Sequence, residues 1–273
     1  MSHRLAITIA YNILLTCLPY LSLIDFNLQS ATSRRTHHTS NMSFTNKVVL
    51  ITGASAGIGA STAIEFAKQG ANVAIVGRNE AKLKEVAKQC EKFKVKVLPI
   101  KADVSNEKEA STIVKQTVDK FGKLDVLVNN AGILKTIPIA APEVLSIYDE
   151  ILNTNLRAVI QLTNLAAPYL EKTKGNIINI SSGASKSLIQ NSAITIYGMS
   201  KAALDHFSRG SALEFGPKGV RVNIVAPGPV RTAMMDANGG EENKKITALD
   251  RQRCPNLVVA LSELPAFVGR KLV

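Results

Sequence analysis

The sequence has no tryptophan, only 5% aromatic residues and just three cysteines among its 273 positions. Cys17, Cys90 and Cys254 stand far apart and match no metal-ligand spacing, so no metal site is expected. Their odd count argues against a disulfide framework, and a reducing compartment suits the folded part. Acidic residues are scarce too: 21 against 33 basic ones, a formal net charge of +12. Charge alone would allow a nucleic-acid binder. The Lys and Arg residues are scattered along helix faces, however, and aromatics to interleave with them are few. No nucleic-acid partner is expected, and a basic protein favouring anionic small ligands is the simpler reading. No internal repeat is present. With 46% hydrophobic and 20% charged residues, the length suits one α/β domain plus some extra.

Residues 1–41 differ from the rest. His3-Arg4 precedes an uncharged run from Leu5 to Ile24, broken by Asn12 and Pro19. A polar stretch, Gln29 to Asn41, follows. A basic start, an apolar middle and the small residues Ala31-Thr32-Ser33 resemble a secretory signal or membrane anchor. The apolar run could just span a bilayer. The competing reading is translation from Met42, six residues before the first core strand, which would make the protein cytoplasmic. The expected division is a leader, 1–41, and a nucleotide-binding catalytic domain, 42–273.

The chain is organised around Val48 to Gly59. Val48-Val49-Leu50-Ile51 reads as a strand buried on both faces. Gly53, Gly57 and Gly59 follow, and then a helix pattern runs towards Gly70. A strand, a glycine turn and a helix N-terminus form a seat for a pyrophosphate, with Gly53, Ser55, Gly57, Ile58 and Gly59 as the cradle. The spacing G-x-x-x-G-x-G differs from the G-x-G-x-x-G of the ordinary dinucleotide fold. Further strands are expected at 72–76, 95–100, 124–128, 175–182 and 220–225. Helix patterns lie at 80–93, 107–121, 143–170 and from Tyr197 to Gly216, and Pro168 predicts a bend. This rhythm gives a single-domain, Rossmann-like, doubly wound parallel sheet with helices on both faces. Ligands of such a sheet sit at the carboxyl ends of the strands. Asp103-Val104, Asn130-Ala131-Gly132 and Pro227-Gly228 fall at such ends and are candidate cofactor contacts.

The second strand ends in Gly77-Arg78-Asn79. An acidic residue there would bind a free ribose 2′-hydroxyl, and none is present. Arg78 suits a 2′-phosphate, so NADP(H) is expected over NAD(H). Tyr197 and Lys201 are four apart and share one helix face. A carbonyl gaining a hydride needs a proton on its oxygen. The Lys201 ammonium is expected to lower the Tyr197 pKa towards that task. Ser182 or Ser181, at a neighbouring strand end, would supply a second hydrogen bond.

Thr52-Gly53-x-x-x-Gly57-Ile58-Gly59, Asn129-Asn130-Ala131-Gly132, the serine strand, Tyr197-x-x-x-Lys201 and Pro227-Gly228 occur in one order. Together they resemble the short-chain dehydrogenase/reductase family, in its single-domain branch, over about residues 45–232. The resemblance implies Tyr197 as catalytic acid/base, Lys201 as its partner and ribose ligand, Ser182 as carbonyl polariser and Asn155 as holder of a relay water. It implies Val230 and Thr232 at the nicotinamide amide, and it also associates Arg78 with NADP. The usual spacing from serine to tyrosine lands on Ala184. Counting from the strand gives Ser182, because loops absorb insertions better than sheets.

Residues 233–245, with Met234 and Met235, are expected to form a lid, and Ile189, Ile194 and Ile196 suggest an apolar pocket. Segments 246–251, 257–262 and 267–273 resemble the family's closing elements without its usual tail, so the domain reads as C-terminally short. The expected activity is an NADP(H)-dependent oxidoreductase acting on a small carbonyl or alcohol, as a homodimer or homotetramer. The alternative is a non-catalytic NADP-binding protein.

Overall fold

The computed structural model describes residues 44–186, 192–228, 230, 232 and 234. The chain divides into two units, Met1–Met42 and Ser43–Val273, and everything described lies in the second. The leader, most of the lid segment, Ile189 and the closing elements lie outside the described residues.

Among the described residues six strands form one parallel sheet: β1 (Val48–Thr52), β2 (Asn72–Gly77), β3 (Val97–Lys101), β4 (Val126–Asn129), β5 (Asn176–Ile180) and β6 (Arg221–Val225). Their order is β3-β2-β1-β4-β5-β6. The chain therefore winds outward from β1 and returns to its other side, leaving a crevice beyond the ends of β1 and β4.

Alternation along the strands feeds two cores. Val49, Ile51, Val73 and Ile75 pack with Ala63 and Phe66 of α1 (Gly57–Lys68) and Leu83 and Val86 of α2 (Glu80–Glu91). Val48, Leu50, Ala74 and Val76 pack on the opposite face. Their partners are Ile113 of α3 (Glu107–Phe121) and Leu162 and Leu170 of α5 (Ala158–Thr173), and Phe215 of α6 (Thr195–Phe215) joins this core. Apolar side chains on both sides explain why β1 reads as an unbroken hydrophobic run.

The long helix pattern at 143–170 is three pieces in sequence. Helix α4 (Val144–Leu152) passes through a π-turn, Asn153–Arg157, into α5. Pro168 lies inside α5, which continues to Thr173. The irregular backbone thus sits at Asn155, where one residue too many is carried in a wide turn, rather than at the proline. Such turns frequently mark functional sites.

Candidate active site

At the carboxyl ends of the strands lies a cleft of about 440 Å³. One end is the glycine turn. Gly53 and Gly57 have φ of 64° and 57°, the left-handed region that favours glycine. A Cβ on Gly53 would lie 2.8 Å from the Ala131 Cα, and one on Gly57 would lie 3.0 Å from the Thr232 Cγ2. Ala56, directly before helix α1, supplies no side-chain cap, and the first turn, Ala56 to Ile58, lines the cleft. A turn that a Cβ would fill, followed by an open helix N-terminus, fits a pyrophosphate.

Gly59 does not line the cleft. It lies behind the turn, where a Cβ would meet Asn130 Nδ2 at 2.4 Å and the Gly53 carbonyl oxygen at 2.5 Å. Asn130 Nδ2 donates to the carbonyls of Thr52 (2.8 Å) and Gly53 (3.2 Å). The Thr52 hydroxyl in turn accepts from the Asn130 and Ala131 N–H groups, both at 3.0 Å. Asn130 thus borders the cleft, yet its amide is committed to tying β4 to the glycine turn. The hub role of Thr52 was missed in the sequence. The only available signal was a hydroxyl residue placed directly before the first glycine.

Gly77, Arg78, Asp103 and Val104 line the adjoining part of the cleft. Arg78 Nη1 lies 3.6 Å from an Asp103 carboxylate oxygen, with the arginine side chain 72% exposed. Burial alone would raise the Asp103 carboxyl. Hydrogen bonds from the Ser105 N–H and hydroxyl, with Arg78 beside them, outweigh burial and hold it below the usual carboxylate range.

At the other end, α6 brings Tyr197 and Lys201 to the wall, and Ser181-Ser182 follow directly after β5. The Ser182 side chain lowers the Tyr197 pKa against the larger raising effect of burial. Its hydroxyl oxygen accepts the Ala184 N–H at 3.2 Å, which fixes the side chain. Ser181 is buried, its hydroxyl 3.4 Å from the Lys201 carbonyl oxygen, and Ala184 is buried and apolar. Of the candidates, all of which line the cleft, Ser182 is the one that acts on the Tyr197 phenol.

Lys201 is only 4% exposed, and its Nζ donates to the Ile180 carbonyl at 2.8 Å. Burial pushes its pKa down to about 8, against a raising influence from Asp205. The same ammonium lies 5.9 Å from the Tyr197 ring centroid. The expectation that it acidifies the phenol needs correcting. Burial raises the Tyr197 pKa, only Ser182 lowers it, and the Lys201 proton is directed at a backbone carbonyl.

Asn155 is 1% exposed and lies behind the wall. Its Oδ1 accepts the Ile133 N–H (2.8 Å), and its Nδ2 donates to the Ile133 carbonyl (3.0 Å) and Ser200 Oγ (3.1 Å). A Cβ on Gly132 would come within 3.2 Å of Asn155 Oδ1 and 3.5 Å of Lys201 Nζ, so this glycine leaves those groups room. Pro227, Gly228, Val230 and Thr232 close the cleft. The Pro227 carbonyl accepts the Gly183 N–H at 2.9 Å, tying this closing segment to the serine turn. Ile194 lines the cleft, as do Leu134, Thr136 and Met234. Ile196 instead packs with Ile137 and Ile151.

A protein-family model described as short chain dehydrogenase matches residues 47–243. 11-beta-hydroxysteroid dehydrogenase A of Sesamum indicum is 38% identical over 199 residues, 71% of this chain and 56% of the relative. The chain thus spans little more than half the length of that relative. A short-chain dehydrogenase/reductase of Caenorhabditis elegans, crystallised with cofactor, is 36% identical with a TM-score of 0.73, covering 80% of this chain and 89% of its own. A short chain dehydrogenase of Burkholderia cenocepacia in complex with NADP is 30% identical, also with a TM-score of 0.73, covering 85% and 95%.

Proposed function

Because the chain belongs to the short-chain dehydrogenase family, we propose that it interconverts a carbonyl compound and its alcohol using NADP(H), with Tyr197 as acid and base. The observation that carries this reading is that Ser182, Tyr197 and Lys201, the last two one turn apart on the same helix, line one cleft with the glycine turn. Gly53, Ser55, Gly57 and Ile58 would hold the pyrophosphate, Asp103 and Val104 the adenine end, and Val230 and Thr232 the nicotinamide amide. When bound, the nicotinamide supplies or accepts the hydride. The Tyr197 hydroxyl gives its proton to the carbonyl oxygen, or takes it back in the reverse direction. Ser182 donates a second hydrogen bond to that oxygen. The Lys201 ammonium would turn towards the ribose and the phenol, and Asn155 would anchor a water behind them to return the proton. Consumption of NADPH with a carbonyl panel tests the reading. Binding of NADPH without consumption of any carbonyl would favour the non-catalytic alternative.

The substrate end carries Leu134, Thr136, Ala184, Ile194 and Met234, with no charged side chain among these described residues. That supports uncharged, largely apolar carbonyl compounds over keto acids. Steroids belong in the panel, given the name of the sesame relative.

Arg78 would recognise the 2′-phosphate. Its removal would also leave the Asp103 carboxylate uncompensated beside that phosphate. Arg78→Ala is therefore expected to raise the KM for NADPH about tenfold while changing that for NADH little. Wild-type preference for NADH would remove the assignment.

Leu145 and Tyr148 of α4, Ile160 of α5 and Leu213 of α6 are exposed, Leu213 by 81%. These faces support a homodimer or homotetramer built on the long helices. Light scattering is expected to give two or four times the chain mass, and a monomer would refute it.

A further inference from the structure

One buried carboxylate near the site has no part in the chemistry above. Asp205 lies one helical turn beyond Lys201, as Lys201 lies one turn beyond Tyr197, so the three share a face of α6. Asp205 is 4% exposed, like Lys201. Its Oδ2 accepts the Ser185 hydroxyl at 2.8 Å, and its Oδ1 is buried with no hydrogen-bond partner. Ser185 ends the short turn, Gly183–Ser185, that Ser182 caps. The same turn rests on α6 at Gly198, where a Cβ would meet the Ala184 carbonyl oxygen at 2.8 Å. One carboxylate thus joins the serine turn to the helix that carries Tyr197 and Lys201.

A buried ammonium with only a carbonyl for company tends to lose its proton. Other charges around Lys201 do not prevent this. On α6 itself, His206 and Arg209 are exposed, and Lys186 beyond the serine turn is exposed as well. The π-turn offers the neutral Asn155, while its Arg157 is exposed and bound to Glu107. The end of β4 offers the uncharged Asn130 and Gly132, and across the cleft Arg78 and Asp103 face each other. Asp205 alone raises the Lys201 pKa against burial.

We propose that Asp205 is a positioning residue of the active site, held by Ser185 and acting through Lys201 as the buried negative charge that keeps its ammonium protonated. This rests on the reading of Tyr197 and Lys201 as catalytic, and its test is separable from that reading.

The Lys201 Nζ titration would be followed by NMR of full-length protein carrying isotope-labelled lysine, assigned with Lys201→Arg. Asp205→Asn is expected to lower its midpoint by about one pH unit. The alkaline limb of kcat/KM for NADPH-dependent reduction should move by the same amount. Ser185→Ala keeps the charge and loses only the tether, so its shift should be less than half as large. An unmoved Lys201 titration in folded Asp205→Asn would overturn the proposal. So would a shift in Ser185→Ala equal to that in Asp205→Asn, since displacement of the turn would then explain both. If Asp205→Asn fails to fold, Asp205→Glu replaces it. Its retained charge should hold the midpoint near wild type, and a full downward shift would overturn the idea. The NMR measurement needs no turnover, so a protein that consumes no NADPH would count against the reductase reading alone.

Discussion

Tyr197→Phe should lower kcat about a thousandfold while leaving NADPH binding within about twofold of wild type. The phenol ring packs in the cleft wall, and phenylalanine keeps that packing while removing only the hydroxyl. What disappears is the donor that shares the cleft wall with Ser182. Removing an acid/base group held at the reacting oxygen costs on the order of 10²–10⁴ in rate. Ser182→Ala should follow with a smaller loss, on the order of a hundredfold, because one of two donors to the oxygen remains. Ser181→Ala should cost little, since that hydroxyl makes one long contact, 3.4 Å to the Lys201 carbonyl. The pH profile adds a second check. Lys201, at about 8, loses its proton as pH rises through that value, so activity in the reductive direction should fall on the alkaline side. Steady-state rates of purified wild type and variants, with NADPH affinity from fluorescence, decide the matter. Retained turnover in Tyr197→Phe would end the assignment.

Much of this is legible in the amino-acid sequence, for particular reasons. The apolar run at Val48–Ile51 is what burial on both faces produces, and it led to a parallel sheet. Tyr197 and Lys201 are linked by helical periodicity, so their meeting followed from spacing alone. Ser182 was reached because a strand end holds register better than a loop length does. Other features depend on terms that a linear pattern does not carry. The π-turn at Asn153–Arg157 is a change of backbone hydrogen-bond register, and its side chains keep an ordinary helical pattern. The direction of the Tyr197 pKa shift was misjudged because depth of burial is set by the surrounding fold, whereas proximity to Lys201 was visible. Asn130 lines the cleft, but the commitment of its amide to Thr52 and Gly53 is a pairing across 77–78 residues that no local pattern announces. Asp205 was overlooked because an acidic residue on a helix is usually solvated. In the fold this one is 4% exposed and accepts a hydrogen bond from Ser185, across 20 residues of sequence.

The second large effect concerns a residue that touches no ligand. Gly59→Ala should lower the midpoint of thermal unfolding by about 5–10 °C and weaken NADPH binding at least about tenfold. The added Cβ would stand 2.4 Å from Asn130 Nδ2 and 2.5 Å from the Gly53 carbonyl oxygen. The oxygen belongs to backbone in a left-handed turn, so no side-chain rotation relieves the contact. Either α1 moves off the turn or Asn130 gives up its bonds to Thr52 and Gly53. Overpacking costs about 1–3 kcal/mol, and a lost buried hydrogen bond about 1 kcal/mol more. Both routes move the N–H groups that would face the pyrophosphate, so stability and affinity should fall together. Gly210→Ala is the internal control. Nothing lies within 4 Å of its Cβ position inside α6, and alanine there should stabilise by about 0.5–1 kcal/mol. Calorimetry and NADPH titration of the two variants separate a general cost of adding a methyl group from a specific loss of the cradle. Wild-type affinity in Gly59→Ala would mean that the packing of α1 against Gly53 does not shape the phosphate seat.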